Sequence, residues 1–202
     1  MSKYISHSYN FWSLTRNSIE EMEKKKKKTI IVSEYSENIT EKQSWKNYEL
    51  LTNWNDQNIG IPVLFNFYHG LELFMKGLLE IKRITFETSK HNLKSLYEKL
   101  KNNEELYSAE LISLLKKHIH NPEEYNNFFK DNNIEVNNFY ECFRYPENSN
   151  KTIDYYYGNI RGKQEETLML YKELKNATVD FYNALVKWNC KSDDCSEYLK
   201  DY

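Results

Sequence analysis

Five glycines and three prolines are all that punctuate the 202 residues. Hairpin-rich sheet folds draw heavily on both, so their scarcity argues against a β architecture and for long helices. Arginine is equally sparse: Arg16, Arg83, Arg144 and Arg161 are the only four, and every other cation is lysine. That is poor material for broad bidentate phosphate recognition. An excess of one charge is missing too. The formal net charge of −2 leaves no global field to recruit nucleic acid or an anionic membrane.

The three cysteines are Cys142, Cys190 and Cys195. An odd number without a secretory signal reads as reduced intracellular thiols. Cys190 and Cys195 stand in the polar tail with no second Cys or His pair to complete a zinc site, so no metal ligand and no cofactor is expected. The N-terminus lacks the apolar stretch of a signal peptide, and no apolar run approaches a membrane span. A cytoplasmic protein with no membrane partner is the expectation. Catalytic templates are missing as well: there is no Gly-rich phosphate loop, no paired-His metalloprotease helix and no nucleophile elbow. His118 and His120 lie two apart on an expected helix, their rings roughly 200° apart, and read as surface residues.

What remains is a globular balance of 40% hydrophobic and 29% charged residues, with an aromatic share of 15%. Large rings fill a core with few residues, so the low mean hydropathy does not imply disorder. One all-α domain spanning residues 1–202 is expected, without repeats or linkers. A first helix is expected over about 8–28, where Glu20, Glu21 and Glu23 each precede a lysine by four. Its lysine-rich end reads as a solvated helix terminus. A short β-prone patch follows at 29–32. A second helix, about 39–54, would put Trp45, Tyr48 and Leu51 on one side.

The most informative segment is the helix expected over 61–82, with Pro62 in its first turn. Apolar residues surround most of it, so it must be central and covered on several sides. Its polar residues are not scattered. Asn66, His69, Glu72, Lys76 and Glu80 follow spacings of three, three, four and four, and so form one longitudinal stripe. That stripe is either a solvated edge or the wall of a cleft carrying acid–base groups. Further helices are expected over 93–100, 104–119 and 163–188, with an aromatic-rich stretch from Pro122 and a turn that Pro146 stops.

The run Phe65-Asn66-Phe67-Tyr68-His69-Gly70-Leu71-Glu72-Leu73-Phe74-Met75-Lys76-Gly77-Leu78-Leu79 resembles the central helix of HEPN-domain proteins, with its Glu-x-x-x-Lys pattern. His91-Asn92-Leu93 resembles the His-x-Leu element that follows it there. Phe143-Arg144-Tyr145-Pro146 resembles the turn that carries a functional Arg. The resemblance covers about residues 61–146. It implies an antiparallel helical bundle, a homodimer, and a place in bacterial defence or toxin–antitoxin systems. It also implies RNA or nucleotide binding, with metal-independent ribonuclease activity in active members and a protein partner encoded nearby. The candidate catalytic residues are then Arg144, His69 and Glu72, with Lys76, His91 and Tyr145 as ligand contacts.

The family pairs its Arg with a His after four to six residues, but Ser149, Asn150 and Lys151 stand there here. Since Arg cannot act as acid or base near neutral pH, His69 or His91 would have to reach Arg144 from another helix or protomer. The alternative is a helical interaction module without chemistry, presenting an exposed aromatic patch at residues 155–157.

Overall fold

A computed structural model describes residues 2–24, 40–120, 127–162 and 164–189. The lysines after Lys24, the 29–32 patch, Pro122 with Tyr125, and Cys190 with Cys195 lie outside them. The described residues form eight α-helices: α1 (Lys3–Lys24), α2 (Glu41–Thr52), α3 (Asp56–Ile81), α4 (Leu93–Lys101), α5 (Ala109–His120), α6 (Phe128–Asp131), α7 (Phe139–Cys142) and α8 (Gln164–Asn189). No strand occurs among them, only an isolated antiparallel bridge between Glu147 and Asp154. The fold is all-α. Among the described residues no helix is long and apolar enough to cross a membrane.

α3 is the axis. It starts at Asp56, five residues before the expected 61, because Asn55 caps it by accepting a hydrogen bond from the Asn58 N–H at 2.9 Å. Pro62 therefore lies inside the helix, where the one bond it cannot donate points toward the carbonyl of Asn58. Gly60 is helical, and the Tyr171 hydroxyl packs where its Cβ would be. Asp56, in the first turn, accepts from the Gly162 N–H at 2.6 Å and the Thr167 hydroxyl at 3.1 Å, joining the start of α3 to that of α8.

Contacts set the helix directions. Ile5 packs on Gly77 while Trp12 packs on Gly70 and donates its Nε1–H to the Phe67 carbonyl at 3.1 Å, so α1 runs antiparallel to α3. Tyr9 meets Tyr182, Trp12 stacks on Phe181, and Glu23 pairs with Lys175, so α1 is antiparallel to α8 as well. Trp12, Phe74 and Phe181 meet where these three helices converge. α5 closes the far side through His118 against Phe67 and Phe181.

α2 carries Trp45 and Tyr48 on one side, with ring centroids 5.9 Å apart. Trp45 is 60% and Leu50 57% exposed, so its aromatic side does not join the core. The helix expected over 104–119 is split into a 3₁₀ turn, Glu104–Leu106, and α5. Ser108 accepts from the Leu111 N–H and starts the second piece afresh.

Gly70 and Gly77 are two turns apart on one face, and α1 lies against both. A Cβ on Gly70 would lie 2.5 Å from Trp12 Nε1, and one on Gly77 2.6 Å from Ile5 side-chain carbons. The close approach of α1 and α3 thus depends on the missing side chains. Gly70→Ala and Gly77→Ala should each lower stability by roughly 1–3 kcal/mol through overpacking. Urea denaturation checks this; an unchanged midpoint would mean that the two helices are not packed this tightly.

Candidate functional site

The middle of the polar stripe on α3 is not a solvated edge, although Glu80 at its end is exposed. Glu72 is fully buried and Lys76 2% exposed, which removes the solvated-edge alternative there. A buried carboxylate and ammonium persist only if paired, since each loses several kcal/mol of hydration. The pairing is direct: Lys76 Nζ donates to Glu72 Oε1 at 2.6 Å and to the Thr88 carbonyl at 2.8 Å.

The remaining carboxylate capacity is taken by two imidazoles. His91 Nδ1 lies 3.0 Å from Glu72 Oε2 and 3.1 Å from Oε1, and His69 Nδ1 lies 3.3 Å from Oε2. Ionised Glu72 only accepts, so each ring presents Nδ1–H to it and keeps Nε2 for another partner. The two side chains are 20% (His69) and 33% (His91) exposed. Burial alone would raise the Glu72 pKa, but the hydrogen bonds from His69, Lys76 and His91 and the Lys76 charge prevail and hold it at about 2.

Local chain geometry brings His91 to α3. After Ile81 the helix closes with Ile84 N–H on the Leu79 carbonyl and Arg83 N–H on the Glu80 carbonyl, Arg83 being left-handed at φ 57°. That reversal turns the chain back along the helix. His91 immediately precedes Asn92, which caps α4 by accepting from the Ser95 N–H at 2.8 Å. The Lys94 N–H donates to Asn137 Oδ1, and Lys94 pairs with Glu135. These bonds tie the start of α4 to the 3₁₀ turn Val136–Asn138, which runs directly into α7.

α7 supplies Tyr140, whose ring stacks on His91 at 3.6 Å and 8°. The Arg144 guanidinium sits over the same Tyr140 ring at 4.6 Å and over Tyr145 at 5.2 Å. Arg144 and Tyr145 are exposed. The Tyr157 hydroxyl fixes their turn by donating toward the carbonyls of Cys142 and Tyr145, at 2.6 and 3.0 Å. On the other side His69 stacks on Phe65 and meets Phe11 edge-on at 4.6 Å. His69 and His91 are 6.5 Å apart between ring centroids.

The structure thus brings together His69, Glu72, Lys76 and His91, and connects Arg144 to His91 through Tyr140. Tyr145 lies one step further out, against Arg144. Lys76 is no surface ligand contact: its ammonium is committed to Glu72 and Thr88. Tyr140, Phe11, Phe65 and Thr88 were not foreseen, and no spacing rule links them to the stripe. His69, Glu72 and His91 also offer three possible metal-ligand atoms within 4.8 Å of one another, a set missed by a search for Cys and His spacing. His118, expected on the surface, is 3% exposed, and burial pushes its pKa down to about 3. His120 is exposed, as expected. Tyr155 and Tyr157 are buried, and of that trio only Tyr156 is open, at 60%.

No protein-family model, no curated protein and no solved structure matches the chain.

Two measurements probe the electrostatics. Glu72→Gln leaves the Lys76 ammonium buried without its counter-charge and should cost about 3 kcal/mol, against about 0.5 kcal/mol for a surface change. Urea denaturation of Glu72→Gln, Lys76→Met and the double variant should show the double losing less than the two singles combined. The second measurement is pH dependence. Folded His118 has a depressed pKa, so the unfolded chain binds more protons between pH 6.5 and about 3, and stability falls as pH drops through that range. Glu72 adds its own loss only below 4.5, toward about 2. Between pH 7 and 5 the wild type should therefore lose more stability than His118→Gln; equal slopes would mean that His118 is not buried neutral.

Proposed function

We propose that the chain is a HEPN-like RNA-binding protein, of the kind found in bacterial defence or toxin–antitoxin systems, that cleaves RNA without a metal ion. The observation carrying this is the pair of half-open imidazoles, both anchored through Nδ1 on buried Glu72, with exposed Arg144 linked to His91 through the Tyr140 ring. The His missing after Arg144 in sequence is supplied in space by His91, which reaches the Arg144 turn through the stacked Tyr140 ring.

The chemistry follows from the tautomers. With Nδ1–H on Glu72, a neutral imidazole offers the Nε2 lone pair as a base, and a protonated one offers Nε2–H as an acid. The neutral ring takes the ribose 2′-OH proton while that oxygen bonds to phosphorus. The P–O5′ bond breaks as the protonated ring gives its proton to the leaving 5′-oxygen. The products are a 2′,3′-cyclic phosphate and a 5′-hydroxyl, and the two rings end with exchanged protonation. Ring centroids 6.5 Å apart suit one phosphate held between them by hydrogen bonds of about 2.6–3.2 Å. Glu72 orients both rings and stabilises whichever is protonated, while Arg144 offsets phosphate charge without donating a proton. The resemblance adds a homodimer and a protein partner encoded nearby to the same proposal.

The competing reading was a helical module without chemistry that docks through the tyrosines at 155–157. Of those three tyrosines only Tyr156 is exposed, so residues 155–157 do not form a continuous aromatic patch.

Purified protein should cleave single-stranded RNA in excess EDTA and leave 2′,3′-cyclic phosphate ends. His69→Ala and His91→Ala should each slow cleavage about 10²–10⁴-fold, Arg144→Ala should weaken binding, and 2′-deoxy substitution should abolish cleavage. Intact RNA at micromolar protein, or cleavage unaffected in both histidine variants, would refute the proposal. Sedimentation as a monomer would remove the homodimer.

A further inference from the structure

We propose that His69 Nδ1, His91 Nδ1 and Glu72 Oε2 also form a binding site for a nitrogen-preferring divalent ion of the Zn²⁺ class, and that such an ion inhibits the RNA cleavage proposed above. The second half rests on that cleavage; the first half does not.

The donor geometry is the first support. A tetrahedral ion with bonds of about 2.0–2.2 Å has donor–donor edges of roughly 3.3–3.5 Å. Glu72 Oε2 lies 3.0 Å from His91 Nδ1 and 3.3 Å from His69 Nδ1, and all three donors fall within 4.8 Å of one another. Two of the three edges are thus within a few tenths of an ångström of a tetrahedral site, and the third, between the imidazoles, is bounded at 4.8 Å.

The donors are also held before any ion arrives. His91 is stacked on Tyr140, His69 is packed between Phe65 and Phe11, and Lys76 pins the other carboxylate oxygen. A ligand oriented by a fixed outer partner loses little freedom on binding. The two imidazoles that hold the nitrogen donors are themselves 20% and 33% exposed, so solvent reaches the rings.

Selectivity follows from Lys76. Its ammonium already balances the single carboxylate and opposes a second cation, so an ion bound chiefly by oxygen gains too little here. Mg²⁺ and Ca²⁺ need several oxygens. Zn²⁺, Co²⁺ and Ni²⁺ gain two imidazole bonds that do not depend on carboxylate charge. Binding moves the proton of a neutral ring from Nδ1 to Nε2 through solvent with no net release, and a protonated ring gives up its Nδ1 proton to solvent. Each ring then shows only an Nε2–H donor, and no base is left for the 2′-OH.

The test is titration of the full chain with Co²⁺, followed by displacement with Zn²⁺. Visible d–d bands of a low-coordinate site should saturate at one ion per chain, vanish with Zn²⁺, and persist in excess Mg²⁺. His69→Ala, His91→Ala and the size-keeping His91→Gln should each weaken binding at least about tenfold, with circular dichroism confirming the fold. Cys190→Ser with Cys195→Ser should leave the bands intact. Absence of bands, their survival in the histidine variants, or their loss with the cysteines overturns the site. The RNA assay separates the two proposals. Metal binding by a chain that never cleaves RNA keeps the site and removes the nuclease. Cleavage in EDTA that Zn²⁺ does not inhibit removes the inhibition and keeps the nuclease.

Discussion

The Glu72 carboxylate lies inside the molecule on its most apolar helix, and withdrawing an ionised carboxylate from water costs several kcal/mol unless its oxygens are satisfied. Much of the surrounding architecture meets that demand. Lys76 comes from the next turn of the same helix. His69 comes from the turn before, but its ring is set by Phe65 and Phe11, so α1 takes part. His91 is nineteen residues beyond Glu72, and reaches it only because α3 closes in a left-handed turn and Asn92 starts a new helix. Thr88 gives Lys76 a second acceptor. One buried charge thus couples α1, α3, the loop after it, α4 and, through Tyr140, α7.

Most helices were legible because their signals are local. The apolar belt of α3, the stripe within it and the periodicity of α8 depend on residues three and four apart. The ends of α3 were less so. Pro62 looked like a first-turn residue, yet Asn55 and Asp56 outweigh it, since a side-chain cap and a carboxylate act on the orphan N–H groups that begin a helix. Pro62 forgoes one bond within an otherwise well-packed helix. Whether the stripe faced solvent was not readable from spacing. Period fixes which residues share a face, not what covers it, and the covering groups come from distant residues such as His91 and Tyr140.

His118 makes the same point in reverse. Two histidines two apart on α5 suggested surface positions, yet one ring is enclosed by Phe67 and Phe181 while the other is open beside Tyr97 and Glu98. The expected geometry, with rings on opposite sides, was sound; the error lay in giving both sides to solvent. On α2 Trp45 meets Tyr48 on one side, as their spacing indicates, yet Trp45 remains largely exposed. Aromatic content locates candidates for burial, but burial needs a facing surface.

The cluster at Glu72 also constrains what its histidines can do. A carboxylate that accepts two Nδ1–H groups fixes both rings in one tautomer and leaves both Nε2 atoms available for proton transfer. A metal ion at the same three donors requires the other tautomer, with Nδ1 bare and Nε2 protonated. The two states use the same atoms and cannot coexist on one ring. Lys76 weighs on the choice: its ammonium strengthens the hydrogen-bonded state by balancing Glu72, and it opposes a dication. The hydrogen-bonded arrangement is therefore the resting state of this cluster, and a metal ion must displace it chiefly through its two imidazole bonds.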